Sequence, residues 1–430
     1  MAAYSQIETA PRNELRQLQG QRLARTVRRA YENVPFYRER FEEAGVEPDD
    51  IESIDDIDRL PFTTKEDFRD EYPTGLFAED MANVRRIHAS SGTTGKPKIV
   101  GYTDHDLDVW KEVMARSLYA AGVEPGDTVQ NAYGYGLFTG GLGFHDGIEE
   151  LGGTVIPTGG GNTARQISML QDLESDALAC TPSYCLYLAE QAEERGIDVR
   201  ELPVSSVIIG AEPFTDPMRD EIEAALDVTA IDVYGLSEIV GPGVSIECAE
   251  VQEGLHVWED HFYPEVIDPD TGEKLPPGEE GELVLTTLTK EAIPAIRYRT
   301  GDITTLYAEP CDCGRTAQRM DNIAGRTDDL LIVRGVNVYP SQIEEAMVDI
   351  EGVAPHYRID LRREDSLDTI ELTVEHHEGY EGSDTALEEA IDQRLQDTLD
   401  VNVDELTVVG PGVIDRTEVG KVKRVFDHRD

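Results

Sequence analysis

Over residues 12–34, "RNELRQLQGQRLARTVRRAYENV", apolar side chains return at three- and four-residue steps, and "PFYRERFEEAG" continues the period. That spacing predicts two successive helices. From Val84 onward short apolar runs alternate with helical patterns, as in "LDVWKEVMARSLYAAG", "GTVIPTG", "ALACTPSYCLYLAEQAEERG", "SSVIIGAEPF" and "MRDEIEAALDVTAIDVYG". Strand followed by helix, repeated, predicts an α/β core with largely parallel pairing. Beyond Gly241, Gly- and Pro-rich turns separate short strands ("HFYPEVIDPDTGEKLPPGEEGELVLTTLT"), the pattern of an antiparallel β unit. A boundary falls in "GRTDDLLIVRGVNVYPSQIEEAMVDIEGV", where a strand over 330–333 runs into a Gly-Val-Asn turn. Ser341 with Glu344 has the spacing of a capping box for the next helix. The expected architecture is a large N-terminal α/β domain over residues 1–327, helical across 1–80 and carrying the antiparallel unit. A small α+β domain over 328–430 follows, since about a hundred residues suffice for one.

Charge changes the picture next. The 430 residues hold 87 acidic and 38 basic side chains, a net charge of −49 spread along the whole chain. Such a coat repels nucleic acid and anionic lipid, so neither is an expected partner. It also repels itself, which salt relieves because the Debye length falls to roughly 3 Å near 1 M; a salt-loving source is expected. No apolar run is long enough to span a bilayer, and the start has no secretory pattern, so a cytoplasmic location is expected. Only eight basic residues are lysine, at 65, 96, 98, 111, 274, 290, 421 and 423, which marks each as a place to look. Five cysteines, few and odd in number, argue against a disulfide framework.

The stretch "HASSGTTGKPKIVGYT", residues 88–103, has the residue types of a phosphate cradle. It fails the Walker rule, which needs Gly, four residues, then Gly-Lys-Ser/Thr opening a helix. Pro97 follows Lys96 and forbids that helix, while "KIVGYT" has β character. The segment is therefore expected at the tip of a hairpin. Glycines 92 and 95 there allow close backbone approach, Ser90, Ser91, Thr93 and Thr94 offer hydroxyls, and Lys96 supplies charge.

This loop resembles the phosphate loop of adenylate-forming enzymes. "FTTKED", "AYGYGLFTGGLGFHDG", "TGGGNTARQ", "TPSYCLYLAE", "GAEPF", "VYGLSEIVGPGVSIEC", "GLHVWEDHFYPEVIDPDTGE", "TLTKEAIPAIRYRTGD" and "GRTDDLLIVRGVNVYPSQIEE" are together similar to the phenylacetate-CoA ligase family, in the same order from about residue 30 to the C terminus. The resemblance implies ATP-dependent, AMP-forming ligation of an aryl acid to coenzyme A through an acyl-adenylate, with Mg²⁺ and with a homodimer as the assembly. It implies that Tyr234 packs on adenine beside Gly235, that Ser237 meets phosphate, and that Glu238 binds Mg²⁺. Asp232 is grouped with the nucleotide-binding positions, as are Gly210, Ala211, Glu212 and Pro213 of the adenine-lining segment. Asp302 takes the ribose hydroxyls, and Arg326 lies near the nucleotide. Asp328 is the hinge, Gly335 comes up beside the CoA passage, and Lys421 is the mobile catalytic lysine, with its neighbour Lys423 as the alternative. For Lys65 two roles stay open, an ATP contact or a solvated first helical residue after a Thr63 or Thr64 cap.

The acid pocket is expected from Tyr135, Phe138, Gly143, Phe144, Ile239 and Pro242, aromatic and apolar walls that suit a flat ring. Family members carry a small residue where Phe144 stands, which shortens the pocket. Cys248, His256, Cys311 and Cys313 could supply a structural zinc with all four positions filled; the alternative is three buried thiols and a satisfied histidine. Rival functions are a deazaflavin adenylyltransferase that stops after AMP transfer, and a non-catalytic sensor of acyl-adenylates or CoA esters.

Overall fold

The computed structural model describes residues 3–90, 97–327, 331–333, 336–348, 350–364, 367–399, 403–416 and 422–429. Ser91, Gly92, Thr93, Thr94, Gly95, Lys96, Asp328, Gly335 and Lys421 lie outside these residues.

Two helices open the chain, Arg12–Asn33 and Pro35–Ala44, as the periodicity predicts. Arg12 and Gln19 reach Glu259 of the β unit, which ties the first helix to it. Behind them the main body is built on one twelve-stranded sheet. Its parallel half runs, in spatial order, through Thr154–Ile156, Thr128–Asn131, Ala177–Cys180, Ser206–Gly210 and Thr229–Leu236. Side chains on these strands alternate between two apolar cores: Ala177 and Ala179 face one, Leu178 and Cys180 the other. Both faces are thus buried, as a parallel sheet with crossover helices requires. The expected antiparallel unit is present and continues the same sheet, with Gly241–Ile246 folding back on Thr229–Leu236. Thr103, Thr64 and Thr215 cap three of the helices with their hydroxyls, accepting from the backbone N–H of Asp106, Asp67 and Met218.

The C-terminal region is a separate α+β domain with its own apolar core, which includes Ile343, Ile359, Leu372 and Ile391. Its four strands lie in the order Glu405–Val409, Leu367–His376, Val353–Glu364 and Val425–Asp427. The expected capping box is not formed. The helix begins at Pro340, and the backbone N–H of Tyr339 is taken by Gln342 at 3.0 Å. Ser341 instead donates to Ala324 O, while Glu344 turns inward to Tyr357 (3.0 Å) and Arg424. A buried cation and phenol outbid the cap for that carboxylate.

Glu221, on the helix Asp216–Leu226, faces Glu190 of the same domain and Glu344 of the other. Burial, then these two charges, raise its carboxyl to about 7. The native state therefore keeps a proton that the unfolded chain, at its ordinary 4.5, has lost, and stability falls as pH rises between those values. Glu221→Gln is expected to stabilise by roughly 1–2 kcal/mol at pH 8 and by almost nothing near pH 5, as read by thermal melts at the two pH values.

Candidate active site

The hairpin expected around the phosphate loop is present. Arg86–Ala89 and Ile99–Tyr102 pair antiparallel, with Ala89 opposite Ile99. Ser90 and Lys98 close the base of the loop: Ser90 N–H donates to Lys98 O at 3.1 Å, and Lys98 N–H to the Ser90 hydroxyl at 3.3 Å. Lys98 then sends its ammonium to the carboxylate of Glu238.

Glu238 is only 4% exposed. Tyr298 donates its hydroxyl to the same carboxylate oxygen at 3.0 Å. Burial pushes the Glu238 carboxyl up, but the Lys98 charge together with the hydrogen bonds from Lys98, the backbone and Tyr298 outweighs it and holds the group below the ordinary range. Lys290 lies behind, its ammonium donating to Glu238 O at 3.1 Å and standing 4.8 Å from the centre of the Tyr102 ring. Burial lowers Lys290 to about 8. A carboxylate kept ionised at the bottom of a site is a hard oxygen donor suited to Mg²⁺.

A second cluster forms where the parallel and antiparallel halves meet. Tyr234 donates to Asp302 at 2.6 Å, and Arg326 ion-pairs with the other oxygen. The register puts Asp302 directly opposite Arg326 on neighbouring strands, so backbone pairing fixes the contact. Burial and then the Asp302 charge raise the Tyr234 phenol well above its ordinary value. Ser237 shares a hydrogen bond with Thr139 at 3.2 Å. Gly210 ends its strand against Val233 O, where a Cβ would stand 2.2 Å away, and Ala211 follows at φ +72°, a conformation that costs a non-glycine residue energy. Asp232 stays buried beside Glu247, and burial followed by that charge raises its carboxyl well above the ordinary range. Arg219 holds Glu247 through two hydrogen bonds of 2.9 and 2.7 Å. Thr64 forms a capping box with Asp67, and Lys65 is the first residue of that short helix.

The six acid-pocket candidates divide. Tyr135 and Phe138 are 38% and 39% exposed. Phe144 is packed away, stacked on Tyr133 at 4.9 Å, and Ile239 is core. Gly143 lies under Trp110 and Pro242, so close that a Cβ would meet them at 2.6 and 2.7 Å. Trp110, which sequence reading missed, donates its indole N–H to Pro242 O at 3.0 Å and stacks on Tyr102. Lys98, Lys290 and Tyr298 were also unassigned. The scarcity of lysine was the one signal that pointed to the first two.

Further away, Cys248, His256, Cys311 and Cys313 come together with all four ligand atoms within 4.8 Å of one another. Cys248 and Cys311 sulfurs are 3.8 Å apart, and His256 Nε2 is 3.5 Å from Cys313 Sγ. Three thiols and an imidazole are the residue types that structural Zn²⁺ sites use, and these four could hold such an ion.

The Lys98–Glu238 pair can be tested without turnover. Lys98→Met strands a buried carboxylate and is expected to cost the unliganded protein about 3 kcal/mol in chemical denaturation. Adding Glu238→Gln should restore most of it; equal destabilisation in single and double variants would contradict the pairing.

The AMP-binding enzyme family model matches residues 11–288, and the AMP-binding enzyme C-terminal domain model matches 335–429. The phenylacetate-coenzyme A ligase of Thermus thermophilus is 52% identical over 445 residues, covering 100% of both chains. Among solved structures, 2-hydroxyisobutyryl-CoA ligase in its postadenylation state with 2-HIB-AMP superposes with a TM-score of 0.93 at 30% identity, covering 100% of this chain and 94% of that one. The same enzyme in its thioesterification state, with 2-HIB-AMP and CoA, gives 0.73 at 30% identity over 98% and 91%. The superposition is thus fuller with that enzyme's postadenylation state than with its thioesterification state. On the length and identity of these matches, the chain belongs to the AMP-binding, adenylate-forming enzymes, within their phenylacetate-coenzyme A ligase family.

Proposed function

We propose that this protein joins an aryl, phenylacetate-like carboxylic acid to coenzyme A, cleaving ATP to AMP and pyrophosphate. The observation that carries this reading is the convergence of Glu238–Lys98 with Tyr234–Asp302–Arg326 at the ends of the parallel strands, where ligands bind in open α/β sheets. The family relationship supports the same chemistry and favours thiol transfer over a deazaflavin adenylyltransferase.

In the first step a carboxylate oxygen of the acid bonds to the α-phosphorus, and the bond to pyrophosphate breaks. In the second the thiol sulfur attacks the acyl carbon and AMP leaves. Both reacting partners of the first step are anionic, so donors that meet shifting phosphate charge are worth the most. Tyr234 and Asp302 hold adenosine, the carboxylate of Asp302 accepting from the ribose hydroxyls and Arg326 steadying it. Ser90, Ser237, Lys96 and the loop from 91 to 95 grip the phosphates. Glu238 is the Mg²⁺ ligand, and the ion when bound neutralises phosphate charge. Lys421, next to the described segment that begins at Val422, approaches the phosphates during adenylation, and a swing about Asp328 near the domain boundary clears that space and brings Gly335 toward the CoA passage. Tyr135 and Phe138 are the residues of the predicted pocket free enough to meet an acid ring; Phe144, locked on Tyr133, limits depth.

The Cys248, His256, Cys311 and Cys313 cluster holds a structural Zn²⁺ that clamps the antiparallel unit. The acidic coat suits a salt-rich cytoplasm.

Purified protein given aryl acids, ATP and CoA in high salt should release AMP and pyrophosphate; release of ADP or only orthophosphate would refute the reading. Lys421→Ala should lower acid-dependent ATP–pyrophosphate exchange by on the order of 10²-fold or more while leaving thioester formation from supplied acyl-adenylate nearly intact. Metal analysis should find about one zinc per chain, and the double variant Cys311→Ser, Cys313→Ser should lose it and melt earlier.

A further inference from the structure

The carboxylate of Glu212 does not face an open nucleotide pocket. One oxygen accepts from the Ser183 hydroxyl at 2.6 Å and from the Ser183 backbone N–H at 3.3 Å, in the first turn of the helix Pro182–Glu194. The other accepts from the backbone N–H of Val422 at 2.9 Å. Val422 belongs to the C-terminal domain and directly follows Lys421 in the chain. Both oxygens are thus committed, one to the body and one to the moving part.

A second contact lies farther along the same helix. Glu190 meets His356 Nε2 at 3.1 Å and Arg416 at 3.5 Å, both from the C-terminal domain. Arg416 is anchored at home by Glu375, at 2.8 and 3.0 Å, so it leaves with its domain when the contact breaks. Between the two contacts is a small cavity lined by Ser183, Tyr187, His356, Arg416, Val422 and Arg424. Among the described residues the apolar clusters do not mix: one is made wholly of residues from 331 onward, the others of residues up to 323. The domains therefore dock here through polar groups over an incompletely filled seam, an interface that can open.

We propose that Glu212 is a positioning residue: clamped by Ser183, it holds the backbone beside Lys421 and so sets the adenylation arrangement, with Glu190 as the second half of the latch. This rests on the ligase reading above and assigns to Glu212 a task other than lining the adenine site. Loss of the latch lowers the fraction of molecules with the lysine segment in place, which reduces the rate of adenylation without touching nucleotide contacts.

The test uses the full chain and separates the half-reactions. Glu212→Ala should lower kcat of acid-dependent ATP–pyrophosphate exchange by on the order of tenfold, with KM for ATP little changed. Glu212→Gln, whose amide oxygen still accepts from Val422, should recover most of that loss, and Ser183→Ala and Glu190→Ala should fall between. Thioester formation from supplied acyl-adenylate and CoA should stay as fast or become faster in Glu212→Ala. The proposal is overturned if Glu212→Ala raises KM for ATP at unchanged kcat, if both half-reactions fall together, or if Gln rescues nothing. Wild-type protein that performs no exchange with any aryl acid would overturn the ligase reading first, before any variant is compared.

Discussion

A carboxylate removed from water must be matched by positive charge or give up its own, and Glu238 shows what that demand imposes on the whole site. Its partner Lys98 comes from the strand that closes the phosphate hairpin, its phenol from Tyr298 on the antiparallel half of the sheet, and the nearby cation Lys290 from the turn before that strand. Two segments widely separated in sequence, one at Lys98 and one over 290–298, are thereby registered against one group. The hairpin is placed by electrostatics as much as by packing, and the residue suited to hold a divalent cation is stabilised in its ionised form before any cation arrives.

That solution stands out against the bulk charge of the chain. With 87 acids against 38 bases, most surface carboxylates have no cation to meet. Several buried acids do. Arg116 holds Asp260 at 2.8 Å, Arg219 holds Glu247, Arg297 holds Glu265 at 3.0 Å and Arg315 holds Glu8 at 2.8 Å. In the first three pairs the planar fork of arginine meets the carboxylate with two hydrogen bonds, whereas Arg315 gives Glu8 one. Lysine at 98 and 290 instead supplies point contacts, one to the Glu238 carboxylate and one to Glu238 O.

Much of this was legible in the sequence, and the reasons differ by residue. Helix and strand periods pointed to the α/β body, and the glycine spacing with Pro97 excluded a Walker loop while the β character of "KIVGYT" pointed to the hairpin that is observed. Tyr234, Asp302 and Arg326 were singled out through family resemblance, but their mutual contacts depend on the register of two strands and were not readable from spacing. Lys98 went unassigned because residue type alone does not say that the strand Ile99–Tyr102 carries it to Glu238. Composition could not separate wall from core at Phe144 and Gly143, because an aromatic beside glycines reads the same in both; their packing on Tyr133 and Trp110 comes only from the structure. The Ser341–Glu344 spacing failed because a local cap competes with long-range partners, and Arg424 with Tyr357 offered Glu344 more.

The placement of the smaller domain follows from what the proposed reaction needs at successive moments. A cation fixed beside the phosphates would help pyrophosphate leave, yet it would still stand there when the thiol has to enter, and its charge would have no phosphate left to meet. Carrying it on a separate domain removes the bulk and the charge in one movement. That domain must then be held weakly enough to let go in every cycle. Its apolar core is complete in itself, so separation exposes little hydrophobic surface, and the contacts that break are single polar ones of about 1–3 kcal/mol each. A larger or oilier interface would hold the lysine-bearing segment more firmly and slow the second step; the sparse polar docking is the compromise that serves both.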